Sequence, residues 1–162
     1  FLQCYESIKD EIFSALMDFG CEHLPLYLVG HSQGAAVLEY TLFDAIDKGF
    51  NVTHAYALES PRPGNAAFSK ALQAKVQSID AWRVSHFQDM VVHLPPMKLG
   101  FEHALPEIYY TNRTGTHYSH CATENTNCSG QWPFWLWTPD DHMWYADINP
   151  CSCDRYAASL FT

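Results

Sequence analysis

The stretch Leu26-Tyr27-Leu28-Val29-Gly30-His31-Ser32-Gln33-Gly34-Ala35-Ala36 decides the fold of this chain. It begins with an apolar run that has the length of a buried strand, and it ends with small residues that favour the start of a helix. Between them lies the pattern Gly-x-Ser-x-Gly, which is typical of a sharp turn that holds a serine hydroxyl clear of the backbone. Glycine is expected on both sides because side chains there would crowd the turn. The stretch therefore predicts a nucleophilic serine, Ser32.

The same turn predicts a site for a developing negative charge. It places the backbone N–H of Gln33 and the N-terminus of the following helix beside the position of an oxyanion. We therefore expect Gln33 to supply one oxyanion donor through its backbone.

The composition limits the partners of the chain. A length of 162 residues is that of a single domain, residues 1–162, that can bury a substantial core. The 9 Lys and Arg residues against 18 Asp and Glu residues argue against nucleic acid or an anionic membrane surface as partner. No apolar run approaches the length of a membrane span, and residues 1–5 are not a signal peptide. We expect a monomer without a transmembrane segment.

Cysteines and glycosylation sequons indicate the compartment. Six cysteines fit a disulfide-forming compartment, with a reduced intracellular domain as the alternative: Cys4, Cys21, Cys121, Cys128, Cys151 and Cys153. Three sequons point the same way, at Asn51, Asn112 and Asn127. Together they predict a secreted or lumenal glycoprotein.

The order of the predicted elements indicates an α/β architecture. Six apolar residues at helical spacing predict a first helix that ends near Gly20, namely Leu2, Tyr5, Ile8, Ile12, Leu16 and Phe19. Further helices are predicted over residues 35–48 and 66–76, and strands over residues 52–58, 82–87 and 107–111. Because strand and helix alternate, we expect a mainly parallel sheet flanked by helices. Residues beyond Thr111 show no clear period and are expected to be rich in loops.

A serine nucleophile needs a base and an acid that orients the base. Where this turn carries a catalytic serine, the chain order is Ser, then Asp or Glu, then His, with the last two on loops after later strands. Asp89 directly follows the predicted strand over residues 82–87. The alternative for Asp89 is a loop or capping aspartate. Of the nine histidines, His142 is late and lies in a predicted loop, but position alone ranks it only slightly above His117 and His120.

Five motifs occur in a fixed order: GHSQGAA at residues 30–36, ESPRPGN at 59–65, WRVSHFQD with a following LPP at 82–96, GFEH at 100–103 and DHMWY at 141–145. This order resembles the class 3 (fungal-type) lipases, which carry GHSLGGA, PRVGN, LPP, GYxH and DHxxY in the same succession. The resemblance runs from the first helix to Tyr145. It implies an α/β-hydrolase fold and a triad of Ser32 as nucleophile, Asp89 as orienting acid and His142 as general base and acid.

The sequence also departs from this family. Gln33 stands where leucine is usual, although its backbone N–H would still serve the oxyanion. Val92 replaces a proline, which is expected to loosen the loop that holds Asp89. The family's chains begin upstream with strands, a lid and a second oxyanion donor, so this sequence resembles the C-terminal part of a lipase domain. We expect it to be a fragment of a longer protein.

Three further groups of residues have two interpretations each. Cys121 and Cys128 resemble the disulfide of some secreted fungal lipases and feruloyl esterases, with two free thiols as the alternative. Those two cysteines with His117 and His120 are zinc-ligand types, but their spacing matches no common zinc motif, and no metal is expected. The aromatic residues before His142 either pack under a loop or line a substrate pocket: Trp132, Phe134, Trp135 and Trp137.

The resemblance and the triad predict a serine carboxylic-ester hydrolase that forms an acyl-enzyme without a metal or organic cofactor. A secreted triacylglycerol lipase is the favoured interpretation, with an ester or lipid substrate at a lipid–water interface. A feruloyl esterase or a phospholipase A1 is an alternative on the same scaffold. A lipase-like module that binds without catalysis is the alternative from another class.

Overall fold

The computed structural model describes residues 1–143, which form a sheet flanked by helices. The helices are α1 (Leu2–Asp18), α2 (Gln33–Asp47), α3 (Ala66–Lys75) and α4 (Asp140–Met143). The strands are β1 (Leu26–His31), β2 (Val52–Leu58), β3 (Gly64–Asn65), β4 (Asp80–His86), β5 (Phe101–Glu102), β6 (Glu107–Tyr110) and β7 (Tyr118–Cys121).

The main sheet has the strand order β1-β2-β4-β6-β7. Its first four strands are parallel and β7 is antiparallel to β6, while β3 and β5 form a small antiparallel pair. The alternation of strand and helix produces this arrangement, because a helix must return the chain before the next parallel strand begins. The prediction of a mainly parallel α/β sheet is confirmed.

The carboxyl ends of the parallel strands are aligned by backbone hydrogen bonds. The N–H of Ser32 donates to the carbonyl of Leu58 at 2.9 Å, and the N–H of Glu59 donates to the carbonyl of Val84 at 2.6 Å. Residues that follow β1, β2 and β4 are therefore fixed side by side at one edge of the sheet. In open α/β sheets this edge is where ligands bind.

Helix α2 packs its apolar face on β1 and β2. Its buried residues recur at helical spacing, as in Ala35, Leu38, Leu42 and Ala45, and they meet Ala55 and Ala57 of β2 in the core. The small side chains at this contact bring the helix close to the sheet. This close packing fixes the position of the turn between β1 and α2.

Helix α1 ends as predicted but buries less than its pattern suggested. Gly20 adopts a left-handed conformation with φ 67° after the helix, which glycine does without strain. Of the six apolar residues that predicted α1, Tyr5 is buried, whereas Phe19 is 81% exposed. Tyr5 stacks on Tyr40 of α2 and donates a hydrogen bond to Asp44 at 2.5 Å. Within the described residues, α1 therefore buries only a narrow stripe of its surface, at Tyr5 and Phe13.

Besides the two-residue strands β3 and β5, strand β7 and helix α4 were not predicted from the sequence. Strand β7 lies in the region expected to be loop, and its residues are largely exposed, so they lack the apolar alternation that identifies a half-buried strand. His142, expected in a loop, lies in the short helix α4. The Thr138 hydroxyl accepts the N–H of Asp141 at 3.1 Å, which is a helix-starting contact.

Cys121 and Cys128 form a disulfide that closes a short loop after β7. The structure pairs the two cysteines that the resemblance implied, and sulfurs in a disulfide are not thiolate ligands of a metal. Cys4 and Cys21 are free cysteines. Cys151 and Cys153 lie outside the described residues, as do Trp144 and Tyr145. Within residues 1–143, none of the helices combines the length and the apolar character of a membrane span.

Candidate active site

Ser32 lies at the turn between β1 and α2. Its backbone has φ 56° and ψ −125°, a strained conformation for a residue other than glycine, of the kind found at functional sites. An added Cβ at Gly30 would lie 2.6 Å from the carbonyl oxygen of Gly34, so glycine is required there. At Gly34, by contrast, an added Cβ would meet nothing within 4 Å. The predicted crowding is therefore found at Gly30, whereas the prediction was wrong for Gly34.

Ser32, His142 and Asp89 form a continuous chain of hydrogen bonds. The Ser32 Oγ lies 2.8 Å from His142 Nε2, and His142 Nδ1 lies 3.1 Å from Asp89 Oδ2. Because a carboxylate only accepts, the tautomer with its hydrogen on Nδ1 satisfies the second bond and leaves Nε2 to accept from the serine hydroxyl. The structure brings the three predicted residues together in the order that a serine nucleophile requires.

Asp89 is held in a buried turn after β4. Its carboxylate is 0% exposed, its Oδ1 accepts the N–H of Val91 at 2.7 Å, and its backbone N–H donates to His86 at 2.9 Å. Val92 is buried, and its carbonyl accepts a hydrogen bond from His103 Nε2 at 2.8 Å. The structure thus holds the loop by hydrogen bonds and burial, and gives no sign of the loosening expected from the loss of proline.

His142 is placed by the start of helix α4. Its N–H donates to the carbonyl of Pro139 at 3.1 Å, and the preceding segment is bound to the Asp89 turn where the N–H of Thr138 donates to Gln88 at 2.9 Å. The acid and the base are therefore linked through their backbones as well as their side chains. His117 and His120, the other candidates, lie near or in β7, and neither is a hydrogen-bond partner of Ser32 in the described residues.

Gln33 is the first residue of α2. The first N–H groups of a helix have no acceptor within the helix and favour negative charge. The Gln33 side chain points away to Cys4, where Nε2 lies 3.5 Å from the sulfur. The backbone N–H next to Ser32 thus remains suited to an oxyanion.

Two residues near His142 had no predicted role. The rings of His31 and His142 are stacked with centroids 4.9 Å apart. Glu59 Oε2 lies 3.0 Å from His31 Nε2 and 3.4 Å from His142 Nδ1. The sequence signal that could have identified Glu59 was its position, because it directly follows a predicted strand, as Asp89 does.

Burial dominates the electrostatics of Glu59. Its removal from water, together with the nearby negative charge of Asp89, raises the pKa of its carboxyl to about 9. Asp141 adds to this rise and His142 opposes it. Glu59 thus binds a proton more tightly than an exposed carboxyl does.

The aromatic residues before His142 divide into two pairs. Trp132 donates a hydrogen bond to the Tyr109 hydroxyl at 2.7 Å, and Trp137 stacks on His93 with centroids 4.1 Å apart. Phe134 and Trp135 are each 71% exposed. The first pair is partly buried against other residues, whereas the second adds apolar surface to the segment that leads to His142.

The comparison with protein families matches the class 3 lipase model, "Lipase (class 3)", over residues 1–99. This chain belongs to the class 3 lipases. The match covers the serine turn and the Asp89 turn, while His142 lies beyond it.

Individual class 3 lipases resemble this chain in sequence and in fold. A secreted mono- and diacylglycerol lipase A from Penicillium cyclopium is 33% identical over 114 residues, which is 69% of this chain and 36% of that protein. Lipase II from Rhizopus niveus superposes with a TM-score of 0.80 at 26% identity, covering 94% of this chain and 59% of that chain.

A triacylglycerol lipase described as having a serine protease triad as its catalytic centre also superposes. Its TM-score is 0.74 at 25% identity, with 92% of this chain and 58% of that chain covered. The described chain spans well under two thirds of the length of each of these three proteins. These solved structures have the α/β-hydrolase fold predicted for this chain.

Proposed function

We propose that this chain carries the catalytic triad of a carboxylic-ester hydrolase, with Ser32 as nucleophile, His142 as general base and acid, and Asp89 as orienting acid. The observation that carries the proposal is the hydrogen-bonded chain from Ser32 Oγ through His142 to Asp89 Oδ2. Ser32 is partly accessible while Asp89 and His142 are buried. A substrate can therefore reach the Ser32 hydroxyl, while the hydrogen-bonded pair of His142 and Asp89 behind it is shielded from water.

The reaction proceeds by two acyl-transfer steps. His142 Nε2 takes the Ser32 proton as the oxygen attacks the ester carbonyl, and the Gln33 N–H stabilises the resulting oxyanion. The imidazolium then protonates the leaving alcohol, which departs and leaves an acyl-serine. Water, deprotonated by the same histidine, releases the carboxylic acid and restores Ser32. Asp89 keeps the hydrogen on Nδ1 and stabilises the imidazolium. None of these steps calls for a cofactor.

The favoured substrate class is an acylglycerol. Two of the similar proteins named above are described as lipases of mono- and diacylglycerols or of triacylglycerols, and the exposed rings of Phe134 and Trp135 provide apolar surface on the segment that leads to His142. A cavity of about 670 Å³ is lined by α1, α2 and the segment around Phe68, and none of the triad residues lines it. We therefore do not assign the binding of the acyl chain to that cavity.

Secretion and glycosylation belong to the same proposal. The disulfide fits an oxidising compartment, and the Penicillium relative is described as secreted. Asn51 and Asn127 are exposed, and Asn112 is partly exposed, so each sequon is on the surface.

The first experiment compares ester hydrolysis by the full-length protein with that by its Ser32→Ala variant, using short- and long-chain p-nitrophenyl esters. We expect Ser32→Ala to lower kcat by about 10⁴-fold or more, since removal of a triad member leaves little beyond binding and the oxyanion donors. Ser7→Ala is the matched control, because Ser7 is exposed and bonds only its own helix. It should keep full activity.

The outcome also separates the alternatives. A preference for long chains supports a lipase, whereas a preference for feruloyl or phospholipid esters assigns one of the other esterases. If the folded wild type hydrolyses no ester and a fluorophosphonate does not label Ser32, the chain is a binding module and the proposal fails.

A further inference from the structure

Glu59 occupies a position that is unfavourable for a glutamate in three ways. The residue is 0% exposed, its backbone lies in the left-handed region with φ 52°, and its Oε1 has no hydrogen-bond partner among residues 1–143. Glycine would adopt this backbone without strain and would remove the buried carboxyl. Strain and an unpaired buried polar atom at one residue are typical of a functional position.

The Glu59 carboxyl faces two imidazole rings. Its Oε2 lies 3.0 Å from His31 Nε2 and 3.4 Å from His142 Nδ1. His31 Nε2 also lies 3.3 Å from the carbonyl oxygen of His142. Since a carbonyl only accepts, the tautomer with a hydrogen on His31 Nε2 serves both contacts. Glu59 Oε2 then accepts the N–H of His31 and lies beside the His142 N–H, which Asp89 accepts.

The sheet places Glu59 and Asp89 on either side of the same nitrogen. Glu59 follows β2 and Asp89 follows β4, and these strands are parallel neighbours. His142 Nδ1 is 3.1 Å from Asp89 Oδ2 and 3.4 Å from Glu59 Oε2. Two carboxyl groups from adjacent strands therefore lie beside one imidazole nitrogen, and Asp89 accepts its N–H.

We propose that Glu59 is a second positioning carboxyl for His142, acting together with Asp89 and with His31 as its support. This inference rests on the proposed hydrolase function. Asp89 accepts the hydrogen bond and fixes the tautomer. Glu59 limits rotation of the ring away from Asp89 and, when it is ionised, stabilises the imidazolium that forms when His142 takes the Ser32 proton.

The protonation of Glu59 is coupled to that of His142. The titratable groups that face Glu59 are His31 from β1, Asp89 from the turn after β4, and Asp141 and His142 from α4. Burial and Asp89 favour its neutral form, while a positive charge on His142 favours its ionised form. Because its pKa is raised to about 9, Glu59 is neutral at lower pH, and its negative charge stabilises the imidazolium only above that pH.

The first test is the pH dependence of kcat/KM for wild type and Glu59→Gln. The amide keeps the shape of the side chain but cannot ionise, so the imidazolium of the variant gains no stabilisation when the pH passes the Glu59 pKa of about 9. We expect kcat/KM of the wild type to rise about three- to tenfold between about pH 8 and pH 10, and that of Glu59→Gln to stay level. A variant that follows the wild type across this range, or that loses activity uniformly at all pH values, assigns a merely structural role and overturns the proposal.

The second test is a double-mutant cycle with Asp89→Ala. In Asp89→Ala the His142 N–H still has Glu59 Oε2 as acceptor, so part of the activity should remain. We expect Glu59→Gln to lower kcat about threefold in the wild type but at least about tenfold in Asp89→Ala, because contacts to one group are not additive. Equal factors in the two backgrounds contradict a shared role. If Asp89→Ala does not fold, the pH dependence decides.

Histidine NMR separates this proposal from the proposed function. The His142 imidazole resonances, identified with His142→Ala, are followed against pH in wild type and Glu59→Gln without any substrate. In the wild type they should show a step near pH 9, where Glu59 ionises, and this step should be absent in Glu59→Gln. The step without Ser32-dependent hydrolysis supports the contact but refutes the hydrolase. Ser32-dependent hydrolysis without the step refutes the role of Glu59 alone.

Discussion

At the scale of single residues, Gly30 and Gly34 flank the same turn but have different surroundings. An added methyl group at Gly30 would meet the backbone of Gly34 at 2.6 Å, whereas one at Gly34 meets nothing within 4 Å. We expect Gly30→Ala to displace Ser32 and lower kcat/KM for a p-nitrophenyl ester about 10²-fold, as misplacement by an ångström does. Gly34→Ala should keep most activity and raise the stability of α2 by about 0.5–1 kcal/mol. Equal losses in both variants would contradict this difference.

The residues of the triad could be predicted because each carries a local or family signal. Ser32 lies between two glycines after an apolar run, and Asp89 follows a predicted strand. Position alone ranked His142 only slightly above two other histidines, and the family motif made the choice. Glu59 was quoted in a motif without a role, because its contact with His142 depends on the spatial order of β1, β2 and β4. Sequence does not give that order residue by residue.

At the scale of secondary structure, the cap of α3 is a testable feature. Asn65 precedes the helix with extended backbone, and its Oδ1 accepts the N–H of Phe68 at 3.0 Å. Asn65→Ala removes this acceptor and should lower the free energy of unfolding by about 1 kcal/mol, as measured by urea denaturation. Asn65→Asp is the matched control, because it retains the acceptor and should lose little. A loss of the same size in both variants would show that the cap is not the cause.

The elements that could be predicted are those whose burial leaves a pattern. Strand β2 was predicted with its observed bounds, since its residues alternate between the two covered faces of a central strand. Strand β7 lies at the edge of the sheet with largely exposed residues, and such residues need not be apolar. Helix α4 has four residues, which is too short for a helical period. Its Thr138-Pro139-Asp140-Asp141 start was the signal that could have revealed it.

At the scale of the whole molecule, the fold joins groups that are distant in sequence. Ser32 and His142 are 110 residues apart and meet at 2.8 Å. They meet because the carboxyl ends of the parallel strands lie at one edge and α4 is bound to the turn after β4. Several carboxyl groups are buried near this edge or beneath it, including Glu39 and Glu59 at 0% exposure. Their ionisation links the stability of the fold to pH.

Glu39 makes this link measurable. Ser60 donates to its Oε1 at 3.0 Å, its Oε2 has no partner in the described part of the chain, and burial raises its pKa to about 8. Since the unfolded chain releases this proton near pH 4.5, the stabilising effect of the bound proton is complete below that pH. It decreases as pH rises and is lost above about pH 8. Above that pH the native fold releases the proton and holds a buried negative charge, at a cost to its stability.

The free energy of unfolding of Glu39→Gln should therefore exceed that of the wild type by a margin that grows as pH rises. The amide accepts the same bond from Ser60 and never ionises, so both proteins should unfold alike near pH 5. By pH 9 the variant should be more stable by on the order of 3 kcal/mol, as measured by urea denaturation at each pH. Glu11→Gln on the exposed side of α1 is the control and should follow the wild type. If Glu39→Gln runs parallel to the wild type from pH 5 to 9, Glu39 is ionised in the native fold and solvent or a partner group compensates its charge.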